Sequence, residues 1–340
     1  MAVDTLTATT GRAFARAGLL GNPSDGYGGK AIAMALGNFR AVATIAPSER
    51  LELVASDAHR VVLPALADAA EPFAHADGDS GLRLMRAALR RFLVHAPDLL
   101  ADVASDRRAR FTLRFETDIP GLVGLSRSSA IIIAVLRSLM AWFETPIEPA
   151  AVAELALAAE LEDLDLACGA MDRVIQAYEG VVEMDLKEPR SAASYVRLDP
   201  TLLPPLFVAF DPLGGEPSGD AHGELRARWM SGDPELSRIM CRFRDLVDSG
   251  VDALRRHDHI RFGELMNENF DLRASFFPVS ERDREMVQIA RRLAASGKLC
   301  GSGGAIVGQL RDPSDVSGLR EAYEARGFRL IEPRLALPDP

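Results

Sequence analysis

The sequence has 340 residues, 48% of them hydrophobic and 26% charged, which is the composition of a globular protein with one large domain or two ordinary ones. Its formal net charge of −10 disfavours contact with a nucleic acid backbone. No apolar run approaches the roughly 18 residues of a membrane span, and the N-terminus lacks the pattern of a signal peptide. We therefore expect a cytoplasmic protein without nucleic acid or membrane partners.

Strands and helices are both predicted in the first half of the chain. Alternating apolar residues predict strands at 13–20, 31–45, 50–55 and 110–117. An apolar stripe opposite a row of arginines predicts a helix around 82–92, and two more helices are predicted at 130–143 and 149–163. The acidic residues that end the last helix are typical of a solvated surface.

A proline-rich stretch, Ser191 to Pro205, is predicted to be irregular and to separate a domain of residues 1–195 from a domain of residues 196–340. Beyond it we predict strands at 206–210, 305–310 and 328–331, a helix at 316–325, and a helix whose capping box joins Ser280 and Asp283. Because the alternation is irregular, the fold class is α/β in the broad, α+β sense and not a doubly wound sheet.

The clearest glycine-rich segment is IPGLVGLSRSSA, Ile119 to Ala130, between a predicted strand and a predicted helix. Such a turn directs backbone N–H groups outward at the positive end of a helix dipole, which suits phosphate oxygens. Serine hydroxyls there can reach a phosphate or Mg²⁺. An ordinary helix cap explains the same serines equally well.

Two other glycine segments have less specific patterns. ARAGLLGNPSDGYGGK, Ala15 to Lys30, gathers polar side chains that can bind several hydroxyls at once, although a surface turn also explains it. KLCGSGGAIVG, Lys298 to Gly308, is a glycine turn that opens into a strand, or simply a tight bend. The fingerprints of P-loop enzymes and Rossmann dehydrogenases are absent.

Taken in order, these segments resemble the motifs of the GHMP kinases. The stretch from Pro120 to Ala130 is similar to their phosphate loop with one extra residue, and RAGLLGNPSDGY resembles the N-terminal galactokinase motif with one insertion. CGAMDR, Cys168 to Arg173, resembles the stretch that carries the catalytic aspartate. Glu160 stands where that family has its Mg²⁺-binding glutamate. The resemblance runs from about Phe14 to Ile331.

Within the superfamily, the likeness is greatest to the glucuronokinase branch. DRVIQAYEGVVEMDL, MNENFDLR and KLCGSGGAIV resemble segments of that branch. Two positions depart from the plant enzymes: Arg127 replaces a glycine of the phosphate loop, and the GAMD ending at Asp172 is closer to galactokinase. Arg127 could add a phosphate contact or crowd the nucleotide.

The resemblance implies a sugar kinase that uses ATP and Mg²⁺, acting on glucuronate at its anomeric hydroxyl, with an N-terminal α/β domain and a C-terminal ferredoxin-like domain. It implies Asp172 and Arg16 as catalytic residues, and Ser129 with Glu160 as metal ligands. The implied nucleotide-binding residues are Gly124, Leu125, Ser126, Arg127, Ser128 and Ser129. The implied sugar-binding residues are Asn22, Asp25, Tyr27, Lys30, Arg173, Gly301, Gly303 and Gly304.

Other interpretations stay open at this point. The acceptor could be a heptose phosphate or a hexose, although the segment from Ala15 to Lys30 has no extra basic cluster that would bind a phosphorylated sugar. The chain could also be a non-catalytic sugar or nucleotide sensor with a kinase-like fold. We expect a small-molecule partner and a monomer or homodimer.

Overall fold

The computed structural model describes residues 6–73, 80–100, 107–187, 194–214, 219–293 and 296–338. The chain divides into two compact units. Unit 1 consists of Met1–Phe14, Phe39–Asp118 and Ser128–Cys168, and unit 2 consists of Ala15–Asn38, Ile119–Arg127 and Gly169–Pro340. The division at residue 195 that the sequence predicts stays a prediction.

The described residues form strands and helices throughout both units. The strands are β1 (Thr9–Leu20), β2 (Lys30–Pro47), β3 (Leu51–Val54), β4 (Arg60–Leu63), β5 (Phe111–Thr117), β6 (Val181–Asp185), β7 (Tyr195–Leu198), β8 (Leu206–Phe210), β9 (Lys298–Leu299), β10 (Ala305–Gln309) and β11 (Arg329–Ile331). The helices are α1 (Leu66–Ala70), α2 (Ser80–His95), α3 (Arg127–Trp142), α4 (Pro149–Ala158), α5 (Met171–Tyr178), α6 (Gly219–Met230), α7 (Pro234–Arg255), α8 (His259–Ala274), α9 (Glu281–Arg292) and α10 (Val316–Glu324). Within the described ranges, every helix is too short or too polar to cross a membrane.

Most of the strands and helices named from the sequence are confirmed, but two stretches differ. Tyr195–Leu198, predicted to be irregular, forms β7 because its backbone pairs antiparallel with β6. Residues 191–193 of the stretch that was predicted to be irregular lie outside the described residues. The helix predicted at 149–163 ends at Ala158 and continues as a π-helix over Ala159–Asp163.

Unit 1 combines a sheet with the largely buried helix α3. Strand β3 pairs antiparallel with β4 and parallel with β5, and β5 pairs antiparallel with residues 41–47 of β2. Helix α3 is apolar on nearly every side, as expected of a helix in the middle of a core. Aromatic rings of α3, β5 and their neighbours pack beside it, with centroid separations of 5.8–6.2 Å among Phe92, Phe111, Trp142 and Phe143.

The acidic stretch that ends α4 is only partly the solvated surface that its sequence indicates, because Glu162 and Asp165 are exposed but Glu160 and Asp163 are not. Glu160 is 1% exposed and Asp163 is also buried. Asp163 accepts hydrogen bonds from Arg90 Nη1 at 2.5 Å and from Arg91 Nη2 at 2.9 Å, and α2 supplies both arginines. These ion pairs hold the π-helix against α2, and π-helical turns are often found at functional sites.

Unit 2 contains two groups of strands. Residues 30–34 of β2 pair antiparallel with β6, which also pairs with β7. A separate four-stranded antiparallel sheet has the order β11-β8-β10-β9. Its apolar face forms a core with α9 and α10, in which Phe207, Ile306, Met286 and Tyr323 are all buried.

A buried lysine joins three parts of unit 2. Lys298 in β9 is 0% exposed, and its Nζ donates to the carbonyl oxygens of Gly18 at 2.7 Å and Leu299 at 2.6 Å and to Asn22 Oδ1 at 2.5 Å. Burial lowers the pKa of Lys298 to about 7. However, a neutral amine has only two N–H groups, so three acceptors are satisfied together only by the ammonium form.

Replacing Lys298 by methionine should destabilise the protein, because the variant keeps the apolar stem but loses all three hydrogen bonds that the ammonium donates to buried acceptors. We expect the free energy of unfolding to fall by about 3 kcal/mol or more. Urea denaturation of Lys298→Met beside the exposed control Lys187→Met measures the difference. Equal stability of the two variants would contradict the assignment.

Candidate active site

An ion pair between the buried Arg16 and the partly exposed Asp172 forms the centre of the candidate site in unit 2. Strand β1 positions Arg16, and the first turn of α5 positions Asp172. The guanidinium donates from Nε to Asp172 Oδ1 at 2.6 Å and from Nη2 to Oδ2 at 2.9 Å. Its Nη1 donates to the carbonyl oxygen of Gly124 at 2.5 Å. One side chain therefore fixes both the carboxylate and the glycine-rich loop.

The surroundings of Asp172 keep it ionised. Burial raises its pKa, but the charges of Arg16 and Arg173 and the hydrogen bonds from Arg16 and Ser126 outweigh that effect and lower it to about 2. The Ser126 hydroxyl donates to Asp172 Oδ2, and Gln176 holds the Ser126 carbonyl at 2.9 Å. Asp172 is therefore a weak base at neutral pH that can accept and orient a hydroxyl hydrogen.

Asp25 is a second carboxylate, itself buried, and its electrostatics are opposite to those of Asp172. It lies in a short 3₁₀ turn after β1. Burial and the nearby charge of Asp172 raise its pKa to about 6, although Arg16 and Arg173 oppose the shift. Gly169 packs directly against this carboxylate, and a β-carbon at Gly169 would overlap Asp25 Oδ2. The glycine of the CGAMDR stretch thus makes room for Asp25.

Tyr27 belongs to an apolar cluster beside that turn. Its ring lies edge-on to Trp229 with the centroids 5.6 Å apart, and it packs with Leu225 and Met240. Burial, followed by the charge of Asp25, raises the pKa of Tyr27 to about 12, so the hydroxyl stays protonated. Tyr27 and Trp229 also line an open cavity of about 620 Å³.

Asn22 and Lys30 already have partners within the protein. The Asn22 amide donates to the Leu299 and Gly301 carbonyl oxygens at 3.3 Å each, and its oxygen accepts from Lys298. Lys30 Nζ lies 2.6 Å from Asp248 Oδ1. Their roles in sugar binding stay predictions.

Arg173 follows Asp172 in α5 and is also buried. It donates from Nη1 to the Gly169 carbonyl oxygen at 2.7 Å, and the same nitrogen lies 3.8 Å from Asp172 Oδ2. The structure thus brings Arg173 close to Asp172, and its charge acts on both Asp172 and Asp25. Its predicted contact with the sugar stays a prediction.

Two residues that the sequence analysis gave no role in the site hold the turn from Gly301 to Gly304. Arg273 in α8 is 2% exposed and donates to the Gly301 carbonyl oxygen at 3.2 Å and to the Ser302 carbonyl oxygen at 2.9 Å. Asp283 accepts from the Gly304 amide at 2.8 Å. The predicted capping box is therefore only half formed, because Ser280 caps α9 at 3.1 Å while the Asp283 carboxylate turns to the glycines.

The phosphate loop and the glycine turn are packed too closely for side chains. A β-carbon on Gly124 would overlap the Gly303 carbonyl oxygen, and one on Gly301 would overlap the Arg16 guanidinium. Gly124 also has a φ of 65°, in the left-handed region that glycine adopts most readily. Space therefore requires both glycines, and at Gly124 the backbone geometry requires one as well.

The metal ligands implied by the resemblance, Ser129 and Glu160, are both buried in unit 1. The neighbouring Ser128 hydroxyl donates to Glu160 Oε1 at 3.1 Å. Carboxylate and hydroxyl oxygens suit a hard cation such as Mg²⁺. Within the described ranges no three His, Cys, Asp or Glu side chains cluster as a metal site, so a bound cation would need further oxygens from a ligand or water.

Arg127, the departure noted in the phosphate loop, is exposed and begins α3. Its Nη1 donates to the Ile119 carbonyl oxygen at 3.3 Å. The side chain therefore folds back over its own loop. With that contact, Arg127 braces the loop from which α3 begins.

Comparisons with known proteins agree with this arrangement. Residues 84–180 match the GHMP kinases N terminal domain, and residues 251–329 match the GHMP kinases C terminal model. A solved Lactococcus lactis galactokinase complexed with galactose has a similar fold, with a TM-score of 0.77, 15% identity and coverage of 98% of this chain and 94% of that one. The chain belongs to the GHMP kinases, and the predicted family and fold class are confirmed.

Two relatives that are similar in sequence show which kind of GHMP kinase this chain resembles. Glucuronokinase 1 and Probable glucuronokinase 2 of Arabidopsis thaliana are each 35% identical to this chain over 336 and 339 residues, which is 96% of this chain and 91% of each relative. The protein is thus a phosphotransferase of the GHMP sugar kinases, with an alcohol group as acceptor.

Substituting Gly124 by alanine should inactivate the protein, because the new methyl group would displace the Gly303 carbonyl and strain the backbone. Gly121→Ala is the matched control in the same loop, since its β-carbon meets nothing closer than 3.5 Å. We expect kinase activity to fall at least about 100-fold in Gly124→Ala and to stay near wild type in Gly121→Ala. Equal activities would show that the close contact is not required.

Proposed function

We propose that the protein transfers the γ-phosphoryl group of ATP to the anomeric hydroxyl of D-glucuronate. The observation that carries the chemistry is the Arg16–Asp172 ion pair, bonded to the glycine-rich loop. The choice of acceptor is supported by the 35% identity to the two plant glucuronokinases.

Asp172 would accept a hydrogen bond from the attacking hydroxyl and hold it in line with the phosphoryl group. Phosphoryl transfer passes through a loose transition state, so positioning contributes more than early proton removal. A carboxylate with a pKa lowered to about 2 fits that role, because it stays ionised and competes weakly for the proton. The hydroxyl proton then moves to Asp172 late, as the new P–O bond forms.

Arg16 would act on the charge of the reaction without exchanging a proton. Its guanidinium keeps both oxygens of Asp172 in place and holds the Gly124 carbonyl. A fixed positive charge beside the reacting groups stabilises the negative charge that spreads during transfer without needing to reorient.

The loop from Gly124 to Ser129 would bind the ATP phosphates through backbone N–H groups at the start of α3. Ser129 and Glu160 would hold Mg²⁺ together with phosphate and water oxygens, and Ser128 would orient the Glu160 carboxylate. When bound, Mg²⁺ neutralises part of the phosphate charge. The glycines at 301, 303 and 304 leave room for a ligand close to the backbone.

At the acceptor end, Asp25 and Tyr27 would bind the sugar hydroxyls. An ionised Asp25 accepts hydrogen bonds, and the protonated Tyr27 hydroxyl can both donate and accept. The two carboxylates would have different roles, because Asp25 would bind the acceptor and Asp172 would orient its reacting oxygen.

The proposed reaction is tested by ADP release from ATP and Mg²⁺ with a panel of glucuronate, galacturonate, glucose, galactose, mannose and a heptose phosphate. We expect glucuronate to be preferred and the Asp172→Asn variant to lose about 10²–10⁴-fold in kcat. Phosphorus NMR of the product locates the phosphate, and nucleotide binding by the variant serves as the folding control. Preference for a neutral sugar would keep the kinase mechanism and discard glucuronate.

The pH dependence should report Asp25 and not Asp172. Because the pKa of Asp25 is raised to about 6, the acceptor-binding carboxylate is lost as the pH falls through 6, and kcat/KM should fall with it. The pKa of Asp172, near 2, contributes no change in that range. A kcat/KM profile from pH 5 to pH 8 measures this limb.

Asp25→Asn should lower kcat/KM and remove the acidic limb, because asparagine does not titrate. The other charged groups that act on Asp25 or feel its charge are Asp172, Arg16, Arg173, Arg273 and Lys298. If kcat/KM of Asp25→Asn still falls at acidic pH as in the wild type, the pH dependence belongs to another group, and Lys298 is the first to examine.

A further inference from the structure

A sugar acid brings a carboxylate that needs a cationic partner, and the two cations among the predicted sugar-binding residues, Lys30 and Arg173, already have partners. Lys30 pairs with Asp248 at 2.6 Å, and Arg173 is bonded to the Gly169 carbonyl oxygen beside Asp172. A carboxylate bound without a donor would lose its hydration uncompensated. The partner is therefore to be sought around Tyr27, at the acceptor end of the site.

Helix α6 packs against Tyr27 through one face. Leu225 is buried in the Tyr27 cluster, and Trp229, one turn later, lies edge-on to the Tyr27 ring. Residues four apart share a helix face, so this face of α6 is turned towards Tyr27. Arg226 follows Leu225 directly and precedes Trp229 by three positions, which places it at the border of the same face. It is exposed.

Electrostatics connect Arg226 to the rest of the site. The phenol of Tyr27 feels the negative charge of Asp25 and the positive charge of Arg226, and Asp25 in turn feels the charge of Asp172. In the part of the chain that the structure describes, Arg226 has no hydrogen bond or ion pair. By contrast, Arg228 on the same helix is paired with Asp233 at 2.8 Å.

We propose that Arg226 binds the carboxylate of the sugar acid and so determines the preference for a uronate over a neutral sugar. Asp172 then holds the anomeric hydroxyl, Asp25 and Tyr27 hold the hydroxyls between, and Arg226 closes the far end. A planar guanidinium can bind a carboxylate through two parallel hydrogen bonds. The inference rests on the proposed function, because it assigns the carboxylate of that same acceptor.

Lys187 is the rival cation. It is exposed at the edge of the cavity that Tyr27 and Trp229 line. Arg244, the other cation of that cavity, is occupied by Asp185 at 3.0 Å and by the Gly28 carbonyl oxygen at 2.8 Å. Arg226 is favoured because it lies on the helix whose Leu225 and Trp229 pack against Tyr27, and its charge acts on the same phenol as Asp25.

The test compares glucuronate with its neutral analogue glucuronamide. We expect Arg226→Gln to lower kcat/KM for glucuronate about 10- to 100-fold, mainly through KM, as for a lost hydrogen bond to a charged group. Activity on glucuronamide should change less than about twofold, within the range of a surface substitution. Arg226→Lys should recover part of the loss, and Arg242→Gln on α7 serves as an exposed arginine control.

The ratio of kcat/KM for the two sugars is taken within each variant, so a partly unfolded preparation does not alter it. If the wild type uses glucuronate but Arg226→Gln keeps the wild-type ratio, the Arg226 assignment is wrong and the proposed function stands. Loss of the ratio in Lys187→Gln instead would transfer the role to Lys187. If the wild type does not phosphorylate glucuronate at all, both proposals fail.

Discussion

The ion pair between Arg16 and Asp172 is the interaction on which the rest of the candidate site depends. Withdrawing two charges from water is costly, and only close geometry with further hydrogen bonds offsets that cost. Here the guanidinium bonds both carboxylate oxygens and the Gly124 carbonyl. Because one side chain ties β1, α5 and the glycine-rich loop together, any displacement of the loop also displaces the Asp172 carboxylate. The glycine at 301 follows from the same constraint, since Arg16 fills the space a side chain would occupy.

Two aspartates a short distance apart acquire different chemistry from their surroundings. Arg16, Arg173 and Ser126 stabilise the charged form of Asp172, whereas burial and the charge of Asp172 itself disfavour ionisation of Asp25. Titratable groups whose pKa values are driven apart are a recurrent sign of divided roles in an active site. The cationic groups around them keep this dense set of charges compatible with a folded core.

The sequence predicted those parts of the site that depend on local backbone chemistry. Glycine turns beside strands and helices have visible patterns, so the phosphate loop, the turn at 301–304 and the stretch ending at Asp172 could be named in advance. The sequence did not predict the role of Arg273, which is the last residue of the MNENFDLR segment that resembles the glucuronokinase branch. Its bonds to the glycine turn depend on how α8 packs, and sequence spacing does not encode that.

The misjudged segments have the same origin. The acidic end of α4 has the composition of a surface, yet Arg90 and Arg91 from α2 bury Asp163. Likewise, Asp283 stands where a capping box would use it, but the Gly304 amide competes for its carboxylate. Strand β7 exists because β6 is beside it. In each case, a partner distant in sequence overrode a local preference.

The buried ammonium of Lys298 also has a consequence for how the protein is made. It supplies the donor for the Gly18 carbonyl, a partner 280 positions earlier in the chain. During synthesis, β1 and the turn that follows it therefore leave the ribosome long before Lys298, the residue that bonds to both. Contacts between such distant positions form late and slow folding. A newly made chain should consequently complete the contacts of this N-terminal segment only when translation is almost finished.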